Sequence, residues 1–314
     1  MNPAERSLLA RWIYAAKPAS WPKLLVPTLF GQAIGVAALG RIDVAALLLG
    51  VAFTIFDLLF VVFVNDWGDR RVDRIKRQMF PEGSAKTIPD GILPASALLS
   101  AGVLAGIAAL VVALVAGASL GRPGLALAGA GLLAMFVAYT LPPLRLNYRG
   151  GGELLEGLGV GVALPWFHVY LQSGAIWTAG LALLPGFAML AYASAIASGL
   201  ADEQSDRRGG KRTYASEYGN RAARALVERL VLGGCLVWAL GMRIADVLPA
   251  PLGALAVIVV LVNWRRLRKL SPLAKTNAFE QHARYKHYLH NAIWRGAMIL
   301  ALVLLVIGWV GPHG

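Results

Sequence analysis

Five aspartates in two short segments form the pattern in this chain that most requires a chemical partner. The first segment runs Asn65-Asp66-Trp67-Gly68-Asp69-Arg70-Arg71-Val72-Asp73, the second Asp202-Glu203-Gln204-Ser205-Asp206. On a helix, Asp66, Asp69 and Asp73 stand at i, i+3 and i+7, within one face. Stacked carboxylates repel each other, and at a helix C-terminus the backbone dipole adds to the repulsion. A cation relieves both. Carboxylate oxygens with one carboxamide, Asn65, suit a hard ion such as Mg²⁺, which completes its shell with water and phosphate oxygens. Asp202 and Asp206, at i and i+4, give a second acidic face. Two such faces at one depth would hold two or more Mg²⁺ ions bridged by a diphosphate. Asp66, Asp69, Asp73, Asp202 and Asp206 are therefore the candidate metal-binding and catalytic residues. Beyond Gly209-Gly210, which reads as a flexible link, Lys211 and Arg212 are candidate diphosphate clamps. The plainer alternative is a pair of solvated helix ends, with the first aspartates paired to Arg70, Arg71 and Arg74.

The elements that must position these residues are membrane helices. The chain has 314 residues, 57% hydrophobic and only 15% charged, and a mean hydropathy of +0.61. Apolar runs near the length needed to cross a bilayer recur throughout, and they lack the period-two alternation of a barrel. Nine runs are read, at 21–40, 43–65, 94–118, 124–142, 154–173, 178–200, 222–244, 247–263 and 289–310. The expected fold is an all-α polytopic membrane protein, residues 1–314 forming one domain. Nine transmembrane helices would surround a central cavity opening to the cytoplasmic face. Of the 30 Lys and Arg, all but Arg41, Arg122 and Arg243 fall on one side of this topology. The positive-inside rule puts that side, with the N-terminus, in the cytoplasm and the C-terminus outside, in the cell's inner membrane. The net charge of +13 is thereby assigned to topology and anionic lipid headgroups rather than to nucleic acid. The first apolar run, broken by Lys17, Pro18 and Lys23, does not read as a cleavable signal peptide. The single cysteine, Cys235, permits no disulfide framework.

With these residues in place, the sequence resembles the UbiA superfamily of intramembrane aromatic prenyltransferases. Asn65-Asp66-x-x-Asp69-x-x-x-Asp73 is similar to that family's first signature. Asp202-x-x-x-Asp206 followed by Gly210-Lys211-Arg212-Thr213 is similar to the second. Lys86-Thr-Ile-Pro-Asp-Gly-Ile-Leu93 resembles its Arg-Pro-Leu-Pro-x-Gly loop, with Lys86 in place of arginine. Tyr139-Thr-Leu-Pro-Pro-Leu-Arg-Leu-Asn-Tyr-Arg-Gly-Gly-Gly-Glu153 is similar to a stretch of the 1,4-dihydroxy-2-naphthoate polyprenyltransferases of the menaquinone pathway. Trp67-Gly68 departs from the usual Tyr-Phe. The segment Lys17–Lys23 is equally like branches with other acceptors. The resemblance implies Mg²⁺-dependent ionisation of an allylic polyprenyl diphosphate and attack by an electron-rich aromatic carbon. It also implies substrate contacts from Asn65, Lys86, Tyr139, Arg145, Tyr148, Arg149, Lys211 and Arg212. The acceptor it favours is 1,4-dihydroxy-2-naphthoate. A 4-hydroxybenzoate, homogentisate or phosphoribosyl acceptor is the alternative within the superfamily.

Other polar residues have bland readings. Asp57 is nine residues from Asp66, on the opposite side of the helix, and is expected to form an interhelical hydrogen bond. His168 could orient the acceptor but more simply donates a structural hydrogen bond. Glu153 and Glu156 fit the electropositive start of a helix. Trp21, Trp177, Trp264, Trp294 and Trp309 read as interfacial anchors. A cation transporter would need acids on both sides of the membrane, whereas the clusters lie on one, with Asp43 and Asp246 nearly alone on the other.

Overall fold

The computed structural model describes residues 5–246 and 248–310. Among them no strand occurs; the chain is a bundle of helices, α1 Leu8–Ala16, α2 Pro22–Leu39, α3 Val44–Met79, α4 Ala95–Ser119, α5 Leu125–Thr140, α6 Gly152–Leu158, α7 Leu164–Ser173, α8 Leu184–Gly199, α9 Glu203–Gly209, α10 Tyr214–Tyr218, α11 Asn220–Ala245, α12 Ala250–Leu270 and α13 Phe279–Val310. A π-helical turn, Gly159–Ala163, joins α6 to α7 into one crossing. Eight helical segments are long and apolar enough to cross a membrane, and α5, apolar but 16 residues long, occupies the place of the remaining expected span.

Two helices overrun their apolar stretches. α3 has 36 residues, about 54 Å at the α-helical rise, against about 30 Å of hydrocarbon. Its apolar part ends where the expected span ended, near residue 65, and the helix continues to Met79. Asp66 and Asp69 therefore sit well inside a helix, and the dipole repulsion expected at a C-terminus does not reach them. α13 likewise starts ten residues before its expected span, at Phe279.

Small residues let the helices approach closely. Gly31 and Gly35 of α2 leave no room for a Cβ against α7, where Pro165 O would lie 2.3 Å and Gln172 Cβ 2.6 Å away. Gly102 and Gly106 of α4 do the same against Val64 and Phe60 of α3. Both pairs have the small-xxx-small spacing that favours helix association in lipid, where the hydrophobic effect gives no drive. α8 packs along α11, and α13 along α2 and α12. The largest apolar core, with Phe30, Phe187 and Trp238 mutually in contact, lies among α2, α8, α11 and α13.

Between α2, α3 and α7 the interior is polar instead. The His168 ring accepts or donates at both nitrogens: Nε2 meets Thr54 Oγ1 at 3.0 Å and Thr28 Oγ1 at 3.2 Å, and Nδ1 meets Gln32 Nε2 at 3.1 Å. Toward the end of the bundle remote from the aspartates, the Arg122 guanidinium donates to Gln172 O at 3.1 Å and to Asp43 at 3.4 Å. His168 is thus a structural hydrogen-bonding centre. Asp57 is buried but has no side-chain hydrogen-bond partner among the described residues, so the expected interhelical bond is not formed.

Candidate active site

The end of α3, the start of α6, the end of α8 and α9 surround a cavity of about 240 Å³ lined by Asp66, Asp69, Asp73, Asp202 and Asp206. The two acidic segments of the sequence meet there, as expected of two helix faces at one depth. Asn65, Lys86, Tyr139 and Lys211 also line it, with Glu153 and Glu156. Seven carboxylates against three lysines make this lining net negative.

Local structure explains the meeting. The chain tightens into a 3₁₀ turn at Leu200–Asp202 before resuming as α9, so Asp202 and Asp206 lie on either side of a change of helix type rather than on one uninterrupted turn. Gly209 lets α9 approach α3, because a Cβ there would stand 2.6 Å from Val72 Cγ2. Gly210 ends α9 with φ +74°, a left-handed conformation that glycine adopts without penalty. The glycine pair therefore serves close packing and a helix stop, not a loose hinge. Thr213 then starts α10 with a capping box shared with Ser216, and Thr213 Oγ1 donates to Asp206 at 3.3 Å. Glu153 accepts the Tyr214 N–H at 2.6 Å and ties α6 to α10.

The aspartates are partnered by lysines, not by the neighbouring arginines. Lys211 donates to Asp69 at 2.6 Å and Lys86 pairs with Asp73 at 2.7 Å. Lys17 pairs with Asp66, and Lys76 with Asp202. Among the described residues Arg70, Arg71 and Arg74 make no ion pair with these acids; Arg70 instead stacks 4.3 Å from the Trp67 ring. Burial alone would lower the Lys211 and Lys86 ammonium pKa values. Asp69 beside Lys211, and Asp73 beside Lys86, outweigh it and hold both above the usual lysine value. Thr87 Oγ1 donates to Asp66 at 2.8 Å, and Thr140 to Asn65 at 3.2 Å.

The Tyr139–Glu153 stretch contributes unevenly. Tyr139 reaches the cavity. Tyr148 donates to Asp69 at 3.1 Å, its hydroxyl pKa raised by burial and by that carboxylate. Arg145, at φ +45°, lies 3.6 Å from the Tyr148 ring and donates to Gly68 O at 3.2 Å, so it braces the site from behind. Neither Arg145 nor Tyr148 lines the cavity itself, and two further expected substrate contacts face outward. Arg149 is exposed outside the cavity. Arg212 is exposed and pairs with Glu217 at 2.9 Å, because the turn into α10 alternates Lys211 inward and Arg212 outward. Sequence reasoning missed Lys17, Lys76, Thr87 and Thr213, and gave Glu156 only a helix-start role, whereas it pairs with Lys23. Thr87 and Thr213 stood inside the quoted segments without a role of their own, and a helical projection puts Lys76, seven residues past Asp69, on the acidic face of α3.

Among the described residues no three acids converge closely enough to hold an ion as they stand. The donor set nevertheless fits a hard cation: buried or half-buried carboxylates, with one carboxamide, on a single cavity. A helical membrane bundle with facing aspartate clusters at one end describes a class of intramembrane enzyme. The model of the UbiA prenyltransferase family matches residues 24–292. The chain belongs to that family: it is a multi-pass membrane prenyltransferase. It is 27% identical over 230 residues to a 1,4-dihydroxy-2-naphthoate octaprenyltransferase of Mycobacterium leprae, covering 71% of this chain and 74% of that protein. In fold it is similar to a UbiA homologue from Archaeoglobus fulgidus solved with DMAPP and Mg²⁺, with TM-score 0.65, 17% identity, and 90% and 99% of the two chains covered. It is also similar to a UbiA homologue from Aeropyrum pernix, with TM-score 0.67, 14% identity, and 90% and 97% covered.

Proposed function

We propose that this enzyme transfers a polyprenyl group from an allylic polyprenyl diphosphate to 1,4-dihydroxy-2-naphthoate, with Mg²⁺, in menaquinone biosynthesis. The observation that carries the donor half is the convergence of Asp66, Asp69, Asp73, Asp202 and Asp206 on one cavity. The Archaeoglobus relative solved with DMAPP and Mg²⁺ supports it. The name of the mycobacterial relative and the Tyr139–Glu153 stretch support the acceptor.

The five aspartates, with Asn65, would hold the ions. Bound Mg²⁺ supplies charge that makes the diphosphate a leaving group. Lys86 and Lys211 donate to the diphosphate oxygens, and Tyr148 and Thr213 orient Asp69 and Asp206. The allylic C–O bond breaks with its electron pair going to the diphosphate. The ring carbon bearing the carboxylate forms the new C–C bond with a π pair of the electron-rich ring; its bond to the carboxylate then breaks, that pair restores the aromatic ring, and CO₂ leaves. The apolar bundle keeps water from the cation that forms. The cavity opens at the cytoplasmic end, where the basic loops lie, and the prenyl chain runs into the bundle.

The test is incubation of membranes with geranylgeranyl or longer diphosphate and 1,4-dihydroxy-2-naphthoate, 4-hydroxybenzoate or homogentisate, followed by mass spectrometry of the extracted lipid. The expected product is the decarboxylated prenyl naphthoquinol, formed with Mg²⁺ and lost with EDTA. A product from another acceptor alone would overturn the acceptor assignment. Product formation in EDTA would overturn the metal assignment.

A further inference from the structure

Each of four aspartates in the cavity is matched with its own lysine, and the lysines come from four separate segments. Lys211 follows α9, Lys86 lies in the loop after α3, Lys76 is in the last turn of α3, and Lys17 sits between α1 and α2. Lys17 is delivered by an unusual backbone. Its φ of +50° and ψ of +59° are left-handed, a conformation that L-residues avoid and that persists only where surroundings enforce it. Ser20 Oγ donates to Lys17 O at 2.8 Å, and Trp21 Nε1 donates to Ala16 O at 2.8 Å, holding the turn. Asp66 then has one oxygen on Lys17 and the other on Thr87. An ammonium on a carboxylate neutralises it and repels an incoming divalent ion, and among the described residues no three acids converge on one point. Cation binding and these lysine pairs are competing uses of the same carboxylates.

Resting on the metal–diphosphate reading above, we propose that Lys17 and Lys76 are exchangeable counter-ions. They neutralise Asp66 and Asp202 until a divalent ion and a diphosphate arrive together, then move to the diphosphate oxygens. An ammonium on a four-carbon stem has the reach for this exchange. The Lys17 side chain lines the cavity while 44% exposed. The exchange makes binding of ion and diphosphate strongly coupled: ions alone must displace lysines that then lack a partner, and the diphosphate supplies that partner.

Mn²⁺ binding to the purified full-length protein, followed by its EPR signal with and without inorganic pyrophosphate, tests this. In the wild-type protein pyrophosphate tightens Mn²⁺ binding by about tenfold or more, within the usual range of site-to-site coupling. Lys17→Met and Lys76→Met each tighten binding of Mn²⁺ alone by about tenfold and shrink the pyrophosphate effect, because the lysine no longer has to be displaced before the ion binds. Lys17→Arg, which keeps the charge, retains wild-type coupling. Equal wild-type affinity with and without pyrophosphate overturns the proposal without reference to any variant. So does unchanged or weaker binding of Mn²⁺ alone in the methionine variants. Mn²⁺ that binds under no condition sinks the metal–diphosphate reading as well, which separates the two failures.

Discussion

Lys211 donates to Asp69 from inside the cavity, while Arg212, next in sequence, turns outward to Glu217. Lys211→Met is expected to raise KM for the prenyl diphosphate about ten- to a hundredfold, from the roughly 1.5–3 kcal/mol of a charged hydrogen bond. Arg212→Ala leaves KM within about twofold, as for a screened surface pair. Steady-state kinetics on the two variants checks this, and equal effects would place the guanidinium in the site. The raised Lys211 pKa also has a direction. Its pair with Asp69 contributes stability in full below the ordinary lysine pKa, and that contribution is lost only as pH rises through the higher folded value. The Tm difference between wild type and Lys211→Met is therefore expected to shrink as pH rises past about 10, the ordinary lysine value. For the aspartates the expectation is harsher: Asp66→Ala or Asp202→Ala abolishes Mg²⁺-dependent pyrophosphate release while the protein still inserts. Full turnover by both variants would refute their role.

Helices bring these residues together, and their contacts set how precisely. α9 rests on α3 at Gly209, so Gly209→Ala drives a methyl against Val72 and pushes Asp206 away from Asp69. Overpacking of this kind costs about 1–3 kcal/mol. The substitution is expected to lower Tm and turnover together, and adding Val72→Ala should restore part of both. His168 acts on α2, α3 and α7 without touching the cavity lining. Its replacement by Ala takes one hydrogen-bond partner each from Thr28, Thr54 and Gln32, leaving the Thr28–Thr54 bond and the Gln32 bond to Ala46 O, and costs about 1–3 kcal/mol. Tm falls while kcat/KM of the surviving enzyme holds. Hydropathy made the helices legible because apolar length is what a bilayer selects. The acidic faces were legible because charge is rare on such helices. Lys17 and Lys76 were not, because any basic residue near a span end satisfies the positive-inside pattern. The π-turn at Gly159–Ala163 and the 3₁₀ turn at Leu200–Asp202 were invisible too, since local hydrogen-bond register leaves no mark on composition.

Across the whole molecule, every paired acid of the cavity lies at one end of the bundle, while Asp43 and Arg122 are paired at the other. Between them the helices present apolar surface and a polar centre of neutral groups around His168. Proteoliposomes are accordingly expected to release pyrophosphate without passing Mg²⁺, and a fluorescent Mg²⁺ indicator trapped inside would report any leak. The place of the cavity at one end of the bundle also has an electrical consequence. Carrying one unit charge through 100 mV is worth about 2.3 kcal/mol, but the voltage drops mainly over the apolar length of the bundle. Highly charged reactant and leaving group enter and depart at the same end and cross little of that drop. An energised and a de-energised membrane should therefore support the same rate, which proteoliposomes with and without an imposed potential would check.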